Sequence, residues 1–100
     1  MLTEDKMQKA EVTIDLGMAE SSEQLQMLLY DALDFPGFYG MNWNAFWDAI
    51  TGLVEMPSKL ILKNPDLLAQ TLPEDHRLLF ECLEEMKEKY PDIECEVIRA

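Results

Sequence analysis

A single histidine, His76, supplies all the imidazole of this chain, and no cysteine or second histidine stands at metal-ligand spacing from it. Its position in the first turn of an acidic helix reads as solvent-facing. The two cysteines, Cys82 and Cys95, form no framework pattern, which points to a reducing compartment and buried thiols, with a Cys82–Cys95 disulfide as the lesser alternative. Ser21, Ser22 and Ser58 have no neighbours that would activate a hydroxyl. The two glycines of "GFYGMNW" are not followed by Lys-Ser/Thr, so no phosphate loop is present. The carboxylates of "ECLEEMKE" read as a solvated helix face rather than a cation site. With no candidate nucleophile, base, metal set or cofactor motif, an enzyme is not expected, and neither is a cofactor.

Long apolar runs are also missing. Nothing approaches the ~18 consecutive apolar residues of a membrane span. The start, "MLTEDKMQKA", has neither the apolar stretch nor the small-residue cleavage site of a secretory signal. A cytoplasmic location is the expectation. Basic residues are scarce: 8 Lys and Arg stand against 20 Asp and Glu, a net charge of −12. Such a field repels nucleic acid and anionic membrane, and it attracts cationic proteins and speeds their encounter.

What the chain does have is one hundred residues with 48% hydrophobic and 28% charged content, enough for one globular domain with a single core. Residues 1–8 read as a flexible N-terminal segment and 9–100 as the domain. "AEVTIDL" (10–16) alternates like a strand up to Gly17. "SSEQLQMLLYDAL" reads as a helix with a Ser21/Gln24 capping box and an apolar face of Leu25, Leu28, Leu29 and Ala32. Pro36, Gly37 and Gly40 break it. A second helix starts at the N-cap candidate Asn42, puts Trp43, Phe46, Trp47, Ile50 and Leu53 or Val54 at core spacing, and stops at Gly52 in a left-handed position. "SKLILK" (58–63) is a strand. "DLLAQ" reads as a short helical turn. A long helix begins at Thr71, Pro73 and Glu74 with capping-box spacing. Its apolar face is Leu79, Cys82, Leu83, Met86 and Tyr90, and "DIECEVI" follows as a strand. Strands separated by helices imply an α/β fold, a small three-stranded parallel sheet flanked by helices.

Six of the nine aromatics fall between Phe35 and Trp47. In the second helix Asn44, Asp48 and Thr51 are spaced i, i+4, i+7 and share one face, with Trp47 at its edge. An aromatic, a carboxylate and a small hydroxyl so grouped suit protein recognition. A core role accounts for Trp43 well, and for Trp47 as well as recognition does. On the long helix Glu81, Glu85 and Glu88 run down one side, either as a solvated face or as a surface for a basic partner, and Arg77 is placed to offset Glu81.

The segment "FYGMNWNAFWDAITGLVEMP" resembles the signature of the barstar family, intracellular inhibitors of small basic ribonucleases. The match runs through Phe38-Tyr39-Gly40-Met41-Asn42, Trp43, Asn44, Ala45, Phe46, Trp47-Asp48, Thr51-Gly52, Glu55 and Pro57. The resemblance implies a barstar-like fold and an inhibitor that binds a basic ribonuclease one to one. In such a complex the 38–53 loop and helix would enter the enzyme's cleft, with Asp48 as the phosphate mimic. It implies Trp47, Thr51 and Gly52 as neighbouring contacts, Phe38 as an aromatic at the cleft edge, and Glu85 as a further acidic contact. Asn42, Asn44 and Leu53 fall within the same segment. Several positions depart from the family pattern: Asn44 stands where an acid is expected, Phe38 for a tyrosine, Leu53 for a tryptophan, and Lys89 for an acid. The alternative is a barstar-like interaction or immunity module for a different basic toxin or protein. Neither reading involves nucleic acid or membrane as a partner.

Overall fold

Short runs with apolar residues at every second position bury one face when they pair side by side. In the computed structural model, which describes residues 10–100, three such runs form a parallel sheet of order β1-β2-β3. The strands are β1 (Glu11–Asp15), β2 (Lys59–Lys63) and β3 (Glu96–Arg99). The register sets Val12 beside Leu60 and Leu60 beside Val97, with Ile14 beside Leu62. Ile14, Leu60 and Leu62 are buried. The expected three-stranded parallel α/β architecture is therefore the observed one. The proposed flexible segment 1–8 lies outside the described residues.

Parallel neighbours need long crossovers, and each crossover carries helices. The first holds a 3₁₀ turn (Leu16–Met18), α1 (Ser22–Ala32), a loop, α2 (Trp43–Asp48) and a π-helical turn (Ala49–Leu53). The second holds α3 (Pro65–Thr71) and α4 (Pro73–Lys89). Leu25 and Leu29 of α1, Phe46 of α2, Ile50 of the π turn, and Leu79, Leu83 and Met86 of α4 are almost wholly buried against the sheet layer. Each such side chain contributes about 1.5–3 kcal/mol of burial. α2 packs on α4, so the two crossovers meet at one surface.

The start of α1 follows the expected capping box with a one-residue offset. Ser21 Oγ accepts from the Gln24 amide at 3.1 Å, while Gln24 Oε1 accepts from the amide of Glu20 at 2.8 Å. It ends before Pro36, as expected. Asp34, not a glycine, takes the left-handed conformation (φ 57°), and the Phe35 amide donates to the Tyr30 carbonyl at 3.1 Å, closing the last turn.

Several boundaries move. "DLLAQ" belongs to a full seven-residue helix, α3, with Pro65 at its first turn, where a missing N–H costs nothing. α4 starts one residue after it. Its N-cap is Leu72, without a side-chain cap, so the Thr71/Glu74 capping box does not form. β3 pairs only from Glu96. Before it the Ile93 amide donates to the Tyr90 carbonyl at 2.9 Å, which makes 90–93 a turn. Gly52 is not left-handed, since no described glycine has positive φ. The helix instead widens into the π turn, closed by the Val54 amide donating to the Ala49 carbonyl at 3.1 Å. Of the expected apolar stripe of α4, Leu79, Leu83 and Met86 are buried and Cys82 packs against the core, while Tyr90, just past the helix, is 45% exposed and Phe80 is buried in addition. His76 is half-buried, its ring 4.9 Å from that of Phe80, rather than simply solvent-facing.

Candidate functional site

The aromatic segment divides into an anchor and a displayed part. Phe35, Tyr39 and Phe46 are buried. Their rings form a chain, Phe35–Tyr39 at 4.7 Å and Phe35–Phe46 at 5.9 Å, extended by Trp43–Phe46 at 5.3 Å. Tyr39 Oη donates to Oε1 of Gln26, a buried glutamine on α1 that the sequence pattern had not marked. Burial raises the Tyr39 hydroxyl pKa, which keeps it a neutral donor. The Tyr39 amide donates to the Pro36 carbonyl at 2.9 Å. This tight turn leaves Phe38 at its tip, 77% exposed.

α2 begins where Asn42 Oδ1 accepts from the Ala45 amide at 2.7 Å and Asn42 Nδ2 donates to the Gly40 carbonyl at 3.2 Å. The Asn42 side chain is thus occupied as a cap. A Cβ on Gly40 would stand 3.3 Å from Ala45 Cβ, so the close approach of loop and helix there favours glycine. Met41, between them, is held at φ 59°, a conformation that costs a non-glycine residue about 1–2 kcal/mol. Trp43 is half-buried, and its Nε1 donates to Asp75 Oδ1 at 2.9 Å. Ser22 Oγ donates to the other oxygen of the same carboxylate, so Asp75 ties α1 and α2 to the first turn of α4.

On the outer face Asn44 and Asp48 are exposed one turn apart. Neither side chain has a hydrogen bond or ion pair within the protein among the described residues. Trp47 is half-buried, its ring 6.0 Å from Tyr90 at the end of α4. Thr51 does not simply continue this face. Its Oγ1 donates to the Trp47 carbonyl at 2.7 Å inside the π turn. A threonine bonding back to the carbonyl four residues earlier competes with the backbone amide for that acceptor, which fits the widened turn. Gly52 and Leu53 are exposed beyond it, Leu53 at 49%. The structure thus brings Asn44, Trp47, Asp48, Thr51, Gly52 and Leu53 onto one short segment.

Glu85 joins them from α4. A groove of about 320 Å³ between the two helices is lined by Trp43, Asn44, Trp47, Leu78, Glu85 and Lys89, together with Glu81 and Cys82. Glu85 Oε2 lies 3.7 Å from Lys89 Nζ. Burial, reinforced by Glu85 and Glu81, pushes the Cys82 thiol up to about 11, and burial also raises Cys95. Both cysteines are free thiols, so no disulfide joins them. A second hollow, about 340 Å³, begins at Thr51 and Gly52 and runs to Glu55, Asp92 and Glu94. Among the described residues no three His, Cys, Asp or Glu side chains are grouped to hold a metal ion.

This geometry offers exposed apolar tips, an aromatic groove and, in Asp48, a carboxylate unpaired among the described residues. A family model described as barstar, the barnase inhibitor, matches residues 9–98. The chain belongs to the barstar family. The chain is also similar to a protein of Bacillus subtilis (strain 168) carrying the name "Putative ribonuclease inhibitor YrdF". The two are 37% identical over 81 residues, covering 81% of this chain and 89% of the relative. Barstars are inhibitors rather than enzymes, and the family's partner is a ribonuclease. No described helix is long and apolar enough to cross a membrane.

Proposed function

We propose that this protein is an intracellular inhibitor that binds a basic ribonuclease one to one and blocks its active site with the 38–53 loop and helix. Asp48 takes the place of a substrate phosphate. Phe38 and Leu53 cover the cleft edge, Trp47, Thr51 and Gly52 contact its wall, and Asn44 and Glu85 flank the carboxylate. Asn42 acts by fixing the start of α2. The observation that supports this reading most is Asp48 itself. It is an exposed carboxylate with no partner of its own among the described residues, held on a helix whose other side is core. Such an anion gains its partner only on binding, and a cationic cleft desolvated by Phe38, Trp47 and Leu53 supplies one. The free thiols are in keeping with a reducing cytoplasm.

Titration of barnase activity with the protein and with Asp48→Ala tests the reading. Asp48→Ala is expected to unfold in urea within about 0.5 kcal/mol of the parent, because no contact within the protein is lost. Binding is expected to weaken by about 3–5 kcal/mol, the cost of stranding buried cations. Equal inhibition by parent and variant would remove the phosphate-mimic role. Inhibition absent from barnase but present against another basic toxin would favour an immunity module.

A further inference from the structure

Four of the six carboxylates of α4 lie beside a cation of the same chain, with Arg77 serving two of them. Arg77 bonds Glu74 and, at 2.7 Å, Glu81. Arg99 of β3 lies 3.5 Å from Glu84, and Lys89 lies 3.7 Å from Glu85. At the groove between α2 and α4, Glu81 and Glu85 are the lining acids, and Lys89 is the lining base. Each acid there has a cation of its own chain beside it. Asn44, on the opposite wall, carries no charge. The charged lining, Glu81, Glu85 and Lys89, therefore carries a net charge of −1 where it would carry −2 without Lys89, while Asp48 on α2 remains unpaired among the described residues.

We propose that Lys89 is a specificity-determining residue of the binding face. It holds Glu85 as an internal pair and adds a positive charge at the groove. A cleft whose cations are gathered opposite α2 then fits, and a cleft that also places a cation opposite α4 is rejected. This inference rests on the ribonuclease-inhibitor reading and names the kind of nuclease it applies to: a basic one with its cations opposite Asp48 and no cation facing Lys89. The pair is exposed on both sides, so its effect on stability is small. Its effect on recognition is not, because a desolvated partner cation would meet Lys89 as a like charge at close range.

The test uses barnase as probe, with association and dissociation measured for the parent, Lys89→Gln, Lys89→Glu and the control Lys87→Glu. Lys87 lies on the same helix but not on the groove. Circular dichroism checks that each variant is folded. Lys89→Glu is expected to bind barnase at least about tenfold more tightly than the parent, and Lys89→Gln about three- to fivefold, with Lys87→Glu changing affinity by less than about threefold. A parent that fails to bind while Lys89→Glu binds gives the same support. Glu85→Gln should cost at least about threefold more affinity in the Lys89→Gln background than in the parent. Equal effects of Lys87→Glu and Lys89→Glu, equal costs of Glu85→Gln in both backgrounds, or no binding by any Lys89 variant would overturn the proposal. Adding Asp48→Ala to Lys89→Glu separates the two readings. Tight binding that survives it would sink the phosphate-mimic role of Asp48 and leave the role of Lys89 standing.

Discussion

Gly52 and Cys82 show how one position can carry a mistaken or a sound inference. Thr51-Gly52 at a helix end suggests a left-handed stop, yet the glycine keeps a negative φ, and a Cβ added there meets nothing within 4 Å. Gly52→Ala should then stabilise the fold, by about 0.4–1 kcal/mol, through a less flexible unfolded chain. A left-handed Gly52 would give a loss larger than that gain instead, so the urea midpoint reads the conformation directly. Cys82 bears out its place on a largely apolar face. Its pKa of about 11, against an ordinary 9.0, follows first from burial and then from Glu85 and Glu81. Only the thiolate reacts, so at pH 8 its reactive fraction should be about a hundredfold below that of an ordinary thiol. Labelling of folded protein should be slow and keep accelerating with pH beyond 9. Labelling as fast as free cysteine at pH 8 would show that the side chain is not held where the structure has it.

At the scale of elements, what could be read was whatever repeats. β1, β2 and α1 show regular alternation or a 3.6-residue stripe, and Asn42 and Ser21 cap helices as their types suggest. The features that escaped are set by single long-range contacts. α3 buries only Leu68 and starts at a proline, so it shows neither a stripe nor a cap, and its packing on α4 stabilises it. The π turn coincides with the Thr51 hydroxyl donating back to the Trp47 carbonyl. Gln26 looks like a surface residue until Tyr39 folds over it. Asp75 reads as an ordinary acid in a helix's first turn, while its carboxylate joins Ser22 and Trp43 from two other helices. The same limit applies to the candidate site. Its α2 residues were legible as one segment, but the closure of Glu85 by Lys89 was not. Asp75→Ala should destabilise the protein by about 1–3 kcal/mol, since it leaves the half-buried Trp43 Nε1 without an acceptor. Trp43→Phe should cost less in the Asp75→Ala background than alone. Additive costs in urea unfolding would mean that the indole and the carboxylate do not act together.

For the whole molecule, the charge is unevenly placed. Residues 41–73 carry a net charge of only −1, against −6 for residues 1–40 and −5 for 74–100. The proposed contact segment 38–53 has Asp48 as its one charged residue, unpaired among the described residues, and an acidic body surrounds it. Two different jobs follow from that division. On the proposed reading, the protein's net charge of −12, all but −1 of it in the body, sets the long-range field that draws in a cationic partner, and salt screens that field over about 8–10 Å. On the proposed reading, Asp48 would be enclosed after docking and act at contact distances where mobile ions are excluded. Association with a basic ribonuclease should accordingly slow by about tenfold or more as ionic strength rises from low to several hundred millimolar, while dissociation changes by a few-fold at most. Asp48→Ala should show the opposite pattern, a much faster dissociation with an association rate close to the parent's. Stopped-flow mixing and competition chase measure the two rates separately. An association rate flat across that salt range would remove steering by the acidic body and leave the contact segment as the whole of the recognition.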